Sequence, residues 1–156
     1  ADFDRPLNKR GRKAARALAR YFLDLGQVPP LVLCSPACRT RQTLKPLARR
    51  LGAALSVHFE PCIYEASARR LLGCLTALPD DLTSVLLIGH NPGIEGLVHF
   101  LIEENGAPEA MARLRGKFPT GSLAILSHAG ESWASLTAGA CHLDVFIRPI
   151  DLESGG

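Results

Sequence analysis

The sequence predicts a single α/β domain in which helices cover a mixed sheet, and three observations carry that prediction. A length of 156 residues with 47% apolar content is enough for one substantial core. Two short apolar runs, residues 31–34 (Leu-Val-Leu-Cys) and 85–88 (Val-Leu-Leu-Ile), lack the alternation of a half-exposed strand and read as buried parallel strands. Each of them runs through a few polar or turn-forming residues straight into a helical pattern, which is the unit from which helix-flanked sheets are built.

In chain order, the first element is a helix over residues 9–25, with Asn8 as its N-cap and Gly26 as its stop. Ala14, Leu18, Tyr21, Phe22 and Leu25 share one face, while Lys9, Arg10, Arg12, Lys13 and Arg20 cover much of the rest. Gln27-Val28-Pro29-Pro30 is a turn that forces extension into the first strand. After that strand, Ser35 has N-cap chemistry and Pro36 suits the first helical position, where its missing N–H costs nothing. The helix that follows runs to Leu51, buries Ala37, Thr40, Leu44, Leu47, Ala48 and Leu51 on one side, and stops at Gly52. Residues 56–59 alternate like a strand. Residues 61–66 form a loop that carries Glu65, and a third helix starts at Ser67, buries Leu71, Leu75 and Leu78, and ends at Pro79-Asp80-Asp81.

The second strand, 85–88, is followed by the turn Gly89-His90-Asn91-Pro92 and by a helix marked by Ile94, Leu97, Val98 and Leu101. A weaker helical pattern covers 108–114, and a loop passes through Pro119-Thr120-Gly121. Residues 122–127, 133–137 and 143–148 read as strands, the first two joined by a turn at Ala129-Gly130, and Ser154-Gly155-Gly156 reads as a flexible tail.

Composition excludes several classes. No apolar run is long enough to span a membrane, and a net charge of +3 is too small to argue for nucleic acid. The five cysteines are odd in number and lack disulfide-scaffold spacing, which points to a reducing, cytoplasmic setting. No Cys-x-x-Cys pair exists and the histidines are scattered, so the pattern offers no zinc site. The charge is uneven: up to Gly52 there are twelve Lys/Arg against three Asp/Glu, and after it six against twelve. Positive potential is therefore expected to gather on the Arg39 side.

The two strand–helix junctions carry the chemistry. A helix start offers free N–H groups and a positive dipole end to an anion, and Arg39, in the first turn, adds a guanidinium that grips phosphate with two parallel hydrogen bonds. His90 stands at the carboxyl end of its strand, where open α/β sheets place their ligands. Together they predict an oxyanion or phosphate pocket. A cysteine-based phosphatase loop needs five residues between Cys and Arg, whereas Cys34 to Arg39 encloses four and Cys34 to Arg41 six. No Gly-x-x-x-x-Gly-Lys or Gly-x-Gly-x-x-Gly occurs, so nucleotide-binding readings lack their phosphate cradle.

Ser-Pro-Ala-Cys-Arg-Thr-Arg-Gln-Thr (35–43) and Ile-Gly-His-Asn-Pro (88–92) resemble the second-arginine and second-histidine motifs of the histidine phosphatase superfamily. Asp-Arg-Pro-Leu-Asn-Lys-Arg-Gly (4–11), Tyr-Glu-Ala (64–66) and Phe-Pro-Thr-Gly-Ser (118–122) resemble its SixA-type branch, the phosphohistidine phosphatases. The resemblance implies a phosphoglycerate mutase-like fold of three layers, α/β/α, with a mixed, mostly parallel sheet. It implies a phosphatase that needs no metal or cofactor and acts on a phosphorylated protein or a small phosphate compound, with no nucleic-acid or membrane partner. Arg39 and His90 would act in catalysis and hold substrate, with Asn91 and Ser122 beside them, and Glu65 matches the region of the family's proton donor.

The family's nucleophile is a histidine in an Arg-His motif at the end of its first, central strand, and no Arg-His pair occurs in this sequence. The expectation is a single domain over residues 1–156 whose first strand, with its Arg-His, lies within roughly twenty residues upstream of Ala1. Without that histidine, the same pocket would make a phospho-ligand binding module. No insertion between Glu65 and Thr120 is long enough to form a lid. That favours a phosphohistidine on a protein surface over a small phosphomonoester.

Overall fold

The computed structural model describes residues 1–153; the predicted tail 154–156 lies outside the described residues. Strand β1 (Val32–Cys34) is buried throughout and sits in the middle of a three-stranded parallel sheet. It pairs on one side with β2 (Val57–Phe59), Val32 opposite Val57, and on the other with β3 (Leu86–Ile88), Cys34 opposite Ile88. Side chains alternate across the pleat: Leu33 joins one hydrophobic cluster, while Val32 and Cys34 join another with Leu44 and Leu55.

Helices cover both faces. On one side lies α2 (Cys38–Leu51), and α1 (Lys9–Asp24) packs against it and against the short α6 (Pro149–Glu153). On the other lie α3 (Ala68–Thr76), α4 (Gly93–Ile102) and α5 (Pro108–Leu114), whose Leu71, Leu75, Leu97, Leu101, Ile102 and Met111 form the larger core with Leu33. This is the predicted mixed α/β fold with a parallel sheet between helices.

The sheet is in two pieces. Strands β4 (Leu123–His128) and β5 (Cys141–Ile147) form a separate antiparallel ribbon, with a register shift between Ile125 and Leu126. Among the described residues, β3 pairs only with β1 and β4 only with β5. A cleft of about 390 Å³ lies between these elements, lined by Leu86, Ile88 and Leu123 from the strands and by Leu18 and Phe22 from α1.

Several local expectations are corrected. The segment 133–137 is not a strand: Trp133–Ser135 is a 3-10 turn, because the Trp133 indole N–H donates to the Leu82 carbonyl (2.8 Å) and β4 takes β5 as its partner. α1 ends at Asp24, and Leu25 is 40% exposed rather than on the core face; the most buried positions of α1 are Ala15 and Ala19. α3 ends at Thr76, short of Pro79. The cap at Asn8 is as predicted, its side-chain oxygen accepting from the Gly11 N–H (2.8 Å); Ser67, expected as the first residue of α3, is instead its N-cap and accepts from the Arg70 N–H (3.2 Å). The α4 start requires Gly93, since a Cβ there would collide with the Ala66 carbonyl oxygen. No described helix is long and apolar enough to cross a membrane.

Candidate active site

The site begins where β1 ends. Ser35 still donates its backbone N–H to Ile88 O (3.0 Å), so the sheet ladder holds it in extended conformation and the helix cannot start there. Consequently α2 begins at Cys38, with Ala37 in the N-cap position and no side-chain cap, which corrects the predicted cap at Ser35 and the predicted helical position of Pro36. The Ser35 side chain is fully buried and has other partners. Its Oγ accepts from the Ala37 N–H (3.3 Å) and lies 2.8 Å from His90 Nε2. Thr40 Oγ1 donates to Ser35 O (2.7 Å), which ties the first turn of α2 to the strand end. The two parallel strand ends are thus joined by a direct Ser35–His90 hydrogen bond.

Arg39, in the first turn of α2, aims both terminal nitrogens at one carboxylate. Nη1 donates to Asp2 Oδ1 (3.1 Å) and Nη2 to Oδ2 (3.4 Å), while Nη1 also reaches the Asp2 carbonyl (2.9 Å). This is the planar, two-pronged geometry that a guanidinium uses for carboxylate or phosphate. Tyr64 donates its hydroxyl to Asp2 Oδ2 (2.6 Å), and its ring meets His90 edge-on at 5.4 Å. A chain of contacts therefore runs Arg39–Asp2–Tyr64–His90–Ser35.

The electrostatics follow from this arrangement. Half-burial lowers the His90 pKa below its ordinary value, and the Arg39 charge pushes the same way, so the ring is neutral at pH 7. Among the described residues His90 Nδ1 has no hydrogen-bond partner, which leaves that nitrogen for a ligand. The Tyr64 hydroxyl and then Arg39 hold the Asp2 carboxyl below the usual range, and the Asp2 hydrogen bond pushes the Tyr64 phenol up to about 12. Burial pushes the Cys34 thiol up to about 12, so the cysteine nearest this turn is no thiolate nucleophile.

Arg39, His90, Asn91 and Ser122 all line the cleft between β3 and β4; Glu65 does not. Asn91 spans two elements, donating from Nδ2 to Phe118 O (3.1 Å) and accepting at Oδ1 from the Glu95 N–H (3.1 Å). The Ser122 hydroxyl donates within its own loop to Pro119 O (2.7 Å). Glu65 is exposed and held at φ 53, a conformation unusual for a side chain with a Cβ, and its charge acts on both Tyr64 and His90. Sequence reasoning missed the parts played by Ser35, Tyr64 and Asp2. Tyr64 stood in a quoted motif, but only the folded chain brings it between residues 2 and 90. A guanidinium fork, a helix N-terminus and an imidazole at adjoining strand ends can together hold a tetrahedral oxyanion.

The fold and this site define a phosphate-handling α/β domain, and the family model for the histidine phosphatase superfamily (branch 1) matches residues 2–138. The chain belongs to that superfamily. More particularly, its structural neighbours include SixA phosphohistidine phosphatases. The one from Nakamurella multipartitia has a TM-score of 0.81 at 30% identity, over 96% of this chain and 88% of that one. The one from Agrobacterium tumefaciens has 0.79 at 30% identity, over 96% and 86%. In sequence, an uncharacterized protein of Mycobacterium tuberculosis is 32% identical over 150 residues, 96% of this chain and 92% of that protein.

Proposed function

We propose that this protein hydrolyses phosphohistidine on a protein partner through a covalent phosphohistidine intermediate. The observation that carries the reading is that Arg39 and His90, at adjoining strand ends, share the wall of one cleft. That cleft has apolar walls and two strand edges, β3 and β4, with no partner between them among the described residues. Unpaired edges over an apolar lining call for a strand. In our reading a strand preceding Ala1 occupies the cleft and delivers the nucleophilic histidine beside His90.

The histidine nitrogen attacks phosphorus in line, the P–N bond of the substrate breaks, and the departing imidazole takes up a proton. Water then attacks the phosphorylated enzyme histidine, which releases inorganic phosphate and restores the free ring. Arg39 holds two non-bridging oxygens with the fork that now grips Asp2, and the α2 N–H groups, which have no side-chain cap, and His90 Nδ1 take the rest. These groups stabilise the charge of the transition state without a metal ion. Glu65 serves as proton donor; a phosphoramidate needs less of such help than an alkoxide leaving group.

The names of the Nakamurella and Agrobacterium neighbours support a phosphohistidine substrate. So does the short path between Glu65 and Thr120, which holds α3, β3, α4 and α5 and no lid over the site. The test compares kcat/KM of the natural protein, with its upstream segment, on a histidine-phosphorylated protein and on small phosphomonoesters. A preference for the phosphoprotein is expected. A phosphomonoester preference of ~10-fold or more, about 1.4 kcal/mol in the barrier, would make it a small-molecule phosphatase instead.

A further inference from the structure

The side of α1 turned away from the cleft carries a second concavity, of about 870 Å³, between α1, α2 and α6. Eight cationic side chains and three carboxylates line it, and all eight cations are exposed. They are ordered along the helices: Arg10, Lys13, Arg16 and Arg20 are three, three and four residues apart on α1, and Lys45 and Arg49 are four apart on α2. That spacing makes one continuous row on each helix. Among the described residues none of the eight forms a salt bridge, whereas the groove's Asp151 is committed to Arg148 and Arg113.

Among the described residues only Arg12 gains a local partner, donating from Nη1 to the Leu7 carbonyl (2.7 Å); no local hydrogen bond rewards the other seven. Like charges three and four apart repel, and α1 begins with Lys9, Arg10 and Arg12 and no acidic residue in its first turn, against its own dipole. Only Arg49 and Arg50, in the last turn of α2, sit where the dipole favours a cation. A field assembled against helix stability is of use only to a partner that answers it.

We propose that the α1–α2 groove docks an acidic helix on the surface of a partner protein, the one that presents the phosphorylated side chain. The groove's shape and charge favour this occupant over other polyanions. None of the exposed large apolar side chains lines the groove, so it has no wedge for a bilayer, and its concavity does not match a flat membrane. Tyr21 is its only aromatic among the described residues, too few for a base-stacking platform. Asp24 and Glu153 would repel a continuous phosphate track but would meet a cation of a mixed protein surface. The 16 residues of α1 extend about 24 Å, the span of a helix face with carboxylates at every third or fourth position. Arg39 lies on the same helix as Lys45, about 9 Å along its axis, so a partner seated here stands within side-chain reach of the site.

The naming of the partner as substrate rests on the phosphatase reading; the docking itself does not, and the experiment separates them. Binding of a fluorescent helical peptide with Glu at i, i+3 and i+4 positions is measured by anisotropy, beside a Lys-bearing counterpart, a single-stranded DNA 20-mer and anionic phosphatidylglycerol vesicles. The expected result is preference for the Glu peptide, a Kd that rises ~10-fold or more between 50 and 200 mM salt, and a loss of ~10-fold or more in R16E/R20E, whose fold is checked by circular dichroism. The same variant should keep the wild-type kcat/KM on free phosphoramidate while KM for a histidine-phosphorylated acidic protein rises. Equal binding of both peptides, tighter binding of DNA or vesicles, or an unaffected R16E/R20E would overturn the docking proposal. Peptide binding intact in a natural protein that has no activity on phosphohistidine would overturn the phosphatase reading alone.

Discussion

Helix α1 separates two concavities of opposite chemistry, and the contrast shows how side chains specify what a surface is for. Toward β3 and β4 it presents Ala15, Leu18 and Phe22; toward α2 and α6 it presents Arg10, Lys13, Arg16 and Arg20. The first surface is apolar and flanked by backbone edges, which is why we propose a strand that pairs there and buries it. The second is charged, and among the described residues its eight cations have no ion partners, which is why we propose a soluble partner that arrives and leaves. Core and docking surface lie about one helix diameter apart.

The largest effect expected is at the mouth of the apolar cleft. Arg39→Lys keeps the charge but loses the planar fork, so kcat/KM of the natural protein should fall at least ~10²-fold, as for loss of an oxyanion donor. A near-wild-type value would take the reaction away from this cleft. Next, the two faces of α1 should respond oppositely to charge. Leu18→Lys in the natural protein should cost at least ~2 kcal/mol in urea unfolding, because a strand over the cleft would bury the ammonium. Arg16→Glu on the other face should stay within about 0.5 kcal/mol. Equal, small effects would mean that solvent fills both.

A smaller effect is a pH dependence confined to the cleft. His90 has a folded pKa lowered from 6.5, so the ring takes up its proton only below that value. Vanadate affinity should therefore strengthen as pH falls from 6.5 through the lowered pKa, by at most about tenfold per unit for one proton. Conformational stability should fall over the same window, because there the unfolded chain binds the proton and the folded one does not. His90→Gln should flatten both curves, and an unchanged vanadate titration would remove His90 from the anion site. The peptide-binding groove should show no such window.

Smallest is the effect shared by both faces. Asn8→Ala removes the cap at the Gly11 N–H and should cost about 1 kcal/mol, seen as a lower urea midpoint at constant m-value. A negligible change would show that packing alone starts α1.

What the sequence by itself determined are the features written in neighbouring residues. The parallel strands at 32–34 and 86–88 (the first buried as expected, the second only half-buried because it borders the cleft), the cap at Asn8, the stop at Gly52 and the placement of Arg39 in a helix's first turn follow from short-range pattern and local hydrogen bonding. The motifs also mark His90, Arg39, Asn91 and Ser122, which all line the cleft. Tertiary structure decided whatever depends on a partner distant in the chain. A ladder bond from residue 35 to residue 88 moved the start of α2 by two positions, and an indole reaching Leu82 turned a promising strand at Trp133 into a 3-10 turn. The pairing of Asp2 with both Arg39 and Tyr64 and the neutral His90 held by Ser35 arise the same way. Burial and hydrogen bonding between residues 37 to 62 positions apart set them, and no local pattern encodes such separations.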